Sequence, residues 1–155
     1  MKKIISLFVL FSIIVSVNLY AQKSRSFQLT SPNGNITVRV DAGEKLQWSV
    51  KSQSQVVIAP SAISMHLQTG ETLGDNANII SSKTEKINNV IAALNYKKNS
   101  VEDNYDQLTL NCKGDYGIIF RVYNDGVAYR FFIKKKDSII VQSEEANFNF
   151  VESGQ

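Results

Sequence analysis

One cysteine, one histidine and two prolines in 155 residues exclude a good deal. A single thiol, Cys112, allows no intramolecular disulfide, and with no second Cys or nearby His it allows no metal quartet. Cys112 alternates with Leu108 and Leu110. That spacing puts it on an apolar strand face as an inert buried thiol, since a reactive one needs an electropositive, exposed setting. His66 falls on the polar side of its run and lacks partners for metal or nucleophile chemistry, so it reads as an ordinary exposed imidazole. Charge of one sign is not in excess: 17 Lys and Arg stand against 14 Asp and Glu, and two of those lysines, Lys2 and Lys3, precede the fold. A near-neutral domain gives no reason to expect a nucleic-acid partner. The cluster Lys134-Lys135-Lys136 reads as a solvated strand end.

Long apolar runs are also scarce. The one present, Ile4 to Val17, follows Lys2-Lys3 and leads to Asn18-Leu19-Tyr20-Ala21. It falls short of the roughly 20 apolar residues that cross a bilayer, which disfavours an uncleaved anchor. A cationic start, a short greasy core and a small residue make a secretory signal peptide over 1–21, cut between Ala21 and Gln22. No Cys follows to carry a lipid. The expected destination is periplasmic or secreted, with no membrane attachment after cleavage. Residues 22–155 are one domain's worth of chain.

What is present is period-2 alternation. Phe27 and Leu29, then Ile36, Val38 and Val40, then Leu46, Trp48 and Val50 alternate with polar residues. Ser31-Pro32-Asn33-Gly34 and Ala42-Gly43-Glu44 separate these runs as turns, the second with Gly43 expected at positive φ. One wet and one dry face per strand is the signature of an antiparallel sheet. Val56-Val57-Ile58 is expected to stop at Pro60, which cannot donate to a central ladder, and Ile63, Met65 and Leu67 to form a separate strand. Residues 69–84 read mostly as loop. Ile87, Val90, Ile91 and Leu94 have helical spacing, although Asn88-Asn89 and the missing cap weaken a helix there. Ile118–Tyr123 and Val127–Ile133 are two further strands, as are Ile139–Val141 and the Phe148/Phe150 pair. Eight or nine short strands in one domain indicate an all-β sandwich or stack of curved sheets.

The stretch RVYNDGVAYRF, 121–131, is a β-hairpin with two cations to place. A two-residue Asp-Gly loop would oppose Arg121 and Arg130, which is destabilising. A three-residue loop Asn124-Asp125-Gly126, with Gly126 as a left-handed bulge, pairs Tyr123 with Val127, Arg121 with Tyr129 and Phe120 with Arg130. It permits Arg-on-ring stacking on both of the latter pairs and is the expected register. Asp125 reads as a turn former, and the two arginines as structural rather than as an anion site.

Three stretches carry a resemblance: LTSPNGNITVRV at the start of the mature chain, DNYDQLTL at 103–110 and GDYGIIFRVYNDGVAYRF at 114–131. The chain from about Ser26 resembles the amino-terminal domain of glycoside hydrolase family 97, the bacterial α-glucosidases and α-galactosidases found in many Bacteroidetes. The resemblance implies a β-super-sandwich like that of galactose mutarotase, incomplete here. In the family a (β/α)₈ barrel follows, with the catalytic carboxylates and an active-site calcium. It also implies an extended rather than helical 87–95. Asp103-Asn104 stand where family members commonly show Asn-His.

Such a hydrolase needs two carboxyls flanking the scissile bond on a barrel of about 250 residues. Glu102-Asp103 and Glu144-Glu145 are adjacent in sequence, so on strands they point to opposite faces. No catalytic, cofactor-binding or metal-binding residue is therefore assigned in this chain. The expected function is a carbohydrate-associated sandwich domain supporting a barrel that lies elsewhere, not catalytic alone and acting on carbohydrate only through that barrel. The alternative is a freestanding periplasmic carbohydrate-binding module using rings among Trp48, Tyr96, Tyr105, Tyr116, Tyr123 and Tyr129. Sugar stacking on such rings is reasonable, but core packing is their commoner use, and alternation assigns Trp48 to the core.

Overall fold

The computed structural model describes residues 24–92 and 99–152. The expected signal peptide, its Ala21/Gln22 junction, Leu94 and Tyr96 lie outside them. Eleven strands follow in chain order: β1 (Arg25–Thr30), β2 (Ile36–Ala42), β3 (Leu46–Ser52), β4 (Gln55–Leu67), β5 (Thr72–Leu73), β6 (Ile79–Ala92), β7 (Ser100–Cys112), β8 (Tyr116–Tyr123), β9 (Val127–Ile133), β10 (Val141–Ala146) and β11 (Asn149–Phe150). No helix occurs among the described residues.

The alternating runs pair as the sequence leads one to expect. In the first sheet, ordered β1-β2-β3-β4-β10, all pairs are antiparallel, with Val38 opposite both Leu29 and Val50 and Val40 opposite Trp48. β5 and β11 also pair with β4. The second sheet is β6-β7-β8-β9, again antiparallel. β1 lies against β7 and β2 against β8, which stacks the sheets as a sandwich. Leu29, Val38, Val40, Leu46, Trp48 and Val50 face Leu108, Leu110, Cys112, Ile118, Phe120 and Val122 across one core. Burying each large apolar side chain contributes about 1.5–3 kcal/mol over leaving it in water. At one end the two turn motifs meet: the Asn33 amide donates to Asn124 Oδ1 at 3.0 Å across 91 residues of sequence.

Three expectations need correction. Pro60 does not end a strand. β4 runs through it by a bulge, the ladder to β3 jumping from Trp48–Ser61 to Val50–Ile58. A bulge is where a residue lacking an N–H fits a sheet. Asn149 bridges the defect, its amide donating to Ser61 Oγ and its side chain to the Pro60 carbonyl. Residues 69–84 are not mostly loop, because β5 and the start of β6 fall within them. Residues 87–92 are extended and paired with β7, as the family resemblance implies and against their helical spacing; their side chains lie largely in solvent, so no core is present for a helical face to bury. Ile139 and Ile140 precede β10 rather than belong to it.

The hairpin register also differs. Val122 pairs with Val127, Arg121 with Ala128, Phe120 with Tyr129 and Ile119 with Arg130. Parity explains this. Paired residues share a face, so the expected Phe120–Arg130 pair would have carried a guanidinium into the core with Phe120. The two-residue alternative keeps parity but opposes the arginines. The observed four-residue loop, closed by the Tyr123 amide on the Gly126 carbonyl, satisfies both constraints. Neither Gly126 nor Gly43 adopts positive φ.

Candidate functional site

The residues whose side chains are capable of chemistry are occupied structurally. Cys112 is 2% exposed. Burial pushes its thiol pKa up, against a smaller opposing effect of its hydrogen bond with Tyr116. Tyr116 is pushed up to about 12, chiefly by burial and then by the neighbouring Cys112; its hydroxyl accepts from the Gly74 amide at 3.3 Å. His66 is half-buried rather than exposed, with Nδ1 2.8 Å from Thr72 Oγ1 across the β4–β5 pair. Burial resists ionisation of Glu145, yet the Ser64 hydroxyl, the Lys45 ammonium and the Asn147 amide hold its carboxyl below the usual range. Its neighbour Glu144 alternates to the other face of β10. Glu102 and Asp103 sit opposite Val90 and Asn89 on the β6–β7 ribbon. Among the described residues no group of three His, Cys, Asp or Glu could hold a metal ion.

The aromatic residues divide into two sets. Trp48, Tyr105 and Tyr116 are buried and offer no ring face to a sugar. Trp48 packs with Phe120 and Tyr129 at 6.3 and 5.4 Å between centroids and meets Phe148 edge-on at 5.3 Å. Its indole N–H donates to the Asn147 carbonyl at 3.3 Å. Phe148 and Phe150 are the exposed rings, at 48% and 69%. Neither is among the six rings named above for sugar stacking, and strand alternation alone carries no signal of their exposure.

The outer face of the second sheet is the other organised surface. Arg121 sits opposite Gln107 and beside Tyr105, not on the rings expected. Its guanidinium carbon is 4.5 Å from the Tyr105 ring centre and its Nε donates to Gln107 Oε1 at 2.9 Å. Tyr105 and Tyr123 pack at 4.9 Å, continuing the row.

A sequence model described as the glycosyl-hydrolase 97 N-terminal family matches residues 29–155. The chain belongs to glycoside hydrolase family 97, as its amino-terminal domain. It is 33% identical over 150 residues to a retaining α-galactosidase of Bacteroides thetaiotaomicron, covering 97% of this chain and 22% of that protein. Among solved structures it resembles a β-arabinopyranosidase, with a TM-score of 0.74 and 23% identity over 81% of this chain and 21% of that one. It also resembles a family 97 enzyme from Pseudoalteromonas sp. strain K8 in complex with panose, with a TM-score of 0.70 and 19% identity over 80% and 20%. The chain thus spans about a fifth of the length of these relatives. The family 97 amino-terminal domain is a β-sandwich here, as its motifs implied, and the relatives' catalytic domain is not covered by it.

Proposed function

We propose that residues 22–155 brace the catalytic (β/α)₈ barrel of a secreted family 97 hydrolase acting on α-glucosides or α-galactosides, and perform no chemistry themselves. The barrel would supply the carboxylates and the calcium site. Residues 1–21 would direct export to the periplasm or beyond, with cleavage between Ala21 and Gln22. The observation carrying this reading is the family match over 29–155 on a chain that spans about a fifth of its relatives' length. The test is direct assay of purified 22–155 on 4-nitrophenyl α-glucoside and α-galactoside, expected to show no release above buffer; turnover would overturn it. Amino-terminal sequencing of exported protein is expected to begin at Gln22.

A second reading, a freestanding carbohydrate-binding module, is favoured by the exposed rings of Phe148 and Phe150, since ring faces in solvent are what sugar stacking requires. Binding of 22–155 to an α-glucan or α-galactoside array would support it, and no binding would remove it.

A further inference from the structure

We propose that Arg121 and Arg130 form a carboxylate-binding site on the outer face of the β6–β9 sheet. The inference goes beyond the barrel-bracing role and does not depend on it. The register sets Arg121 opposite Ala128 and Arg130 opposite Ile119, so both arginine side chains leave the same face of the sheet with the small Ala128 between them. A cleft of about 160 Å³ opens there, lined by Ile119, Arg121, Tyr123, Ala128, Tyr129 and Arg130. Its lining holds two cations and no acid.

Arg121 is held in place before any ligand arrives. The Tyr105 ring fixes the guanidinium plane and Gln107 takes its Nε, leaving the terminal nitrogens for another acceptor. A planar fork held in this way suits bidentate recognition of a carboxylate. The ion pairs among the described residues are Arg39–Asp41, Lys45–Glu145, Lys83–Glu85 and Lys135–Glu71, and neither hairpin arginine takes part in one. Glu85, in the same cross-sheet row as Arg121, is engaged by Lys83. Two like charges on one sheet face repel, and a carboxylate seated between them removes that repulsion. The carboxylate could come from a sugar acid or from an acidic side chain of an adjoining polypeptide; the chemistry recognised is the same.

Site-resolved modification by phenylglyoxal, read by peptide mass spectrometry, tests this at constant ionic strength with sodium chloride as the balancing salt. The probes are acetate, D-galacturonate and D-galactose, and exposed Arg39 is the internal control. Acetate and galacturonate are expected to slow modification of Arg121 and Arg130 about fivefold once well above their Kd, by mass action, and to leave Arg39 unchanged. Equal protection by both acids indicates a side-chain carboxylate, and far stronger protection by galacturonate indicates a sugar acid. Arg130→Gln, an exposed change, should abolish protection at Arg121 while the circular dichroism spectrum stays that of the parent. Absence of protection, equal protection by galactose, or equal protection of Arg39 would each overturn the proposal. Because the readout is not hydrolysis, its failure is separate from failure of the barrel-bracing role.

Discussion

Replacing Trp48 with Ala should cost the domain a large share of its stability. The side chain is 2% exposed and touches three rings, Phe120 and Tyr129 in the second sheet and Phe148 after β10. An aromatic of this size buries 150–250 Å², which at about 25 cal/mol per Å² is roughly 4–6 kcal/mol of transfer energy. Some of this returns with the Ala methyl and partial collapse, so the expected loss is about 3–5 kcal/mol. The indole hydrogen bond adds little. At 3.3 Å it is long, and its acceptor belongs to Asn147, an exposed residue whose carbonyl water can satisfy; it contributes at the low end of about 0.5–1.5 kcal/mol. Trp48→Phe, which keeps a ring, should cost only about 1–2 kcal/mol. Urea unfolding followed by far-ultraviolet circular dichroism measures both, since the variants lose the only tryptophan. With a slope of about 1–3 kcal/mol per molar urea, the Ala variant's midpoint should fall by roughly 2 M. An Ala variant within about 0.5 kcal/mol of the parent, the range of ordinary surface changes, would show that Trp48 does not join the two sheets.

A β-carbon at Gly117 would overlap both the Leu110 carbonyl oxygen and the Phe132 ring edge; Gly117→Ala should therefore cost about 1–3 kcal/mol by overpacking, seen as a lowered urea midpoint. Cys112 and Tyr116 both hold their protons more tightly folded than unfolded, so the unfolded chain releases protons first and stability falls as pH rises. The decline should begin near the unfolded thiol value of 9.0 and steepen past 10.0, with the Tyr116 contribution levelling near 12; Tyr116→Phe should flatten its upper part, and a flat profile from pH 8 to 11 in the parent would contradict the burial of both groups. Among the described residues the β6 and β9 edges have no strand partner in their sheet, and Ile80, Val90, Ile140 and Phe150 stand more than half exposed; the isolated 22–155 segment should thus self-associate at micromolar concentration in sedimentation velocity, and a monodisperse monomer would argue against it.

Alternation was informative wherever one strand face is buried. Leu29, Val38, Val40, Leu46, Trp48 and Val50 were assigned to the core from spacing alone, and the structure buries each of them. The rule weakened where burial stops. β6 beyond Ile87 is exposed on both faces, so no period constrains its residues and an accidental helical spacing stands; only the family motifs indicate extended chain. Pro60 misled because the proline rule describes regular ladders, and a bulge supported by Asn149, 89 residues away, is not a local signal.

The hairpin shows a different kind of gap. Its register was already contained in the sequence: Phe120 and Val122 belong to the dry face, so their partners had to be Tyr129 and Val127, or else Phe131 and Tyr129 with the arginines opposed. Applying face parity before counting turn residues selects the observed pairing. The positions of Arg121 and Arg130 on one outer face follow from that step, whereas the clamp on Arg121 does not. It depends on Tyr105 and Gln107 in β7, and the β7–β8 register that brings them alongside is fixed by Leu108 meeting Phe120 and Leu110 meeting Ile118 in the core. The inner face of the sandwich thus sets the geometry of the outer one. A change at Phe120 should therefore disturb Arg121, although the two side chains lie on opposite sides of the sheet.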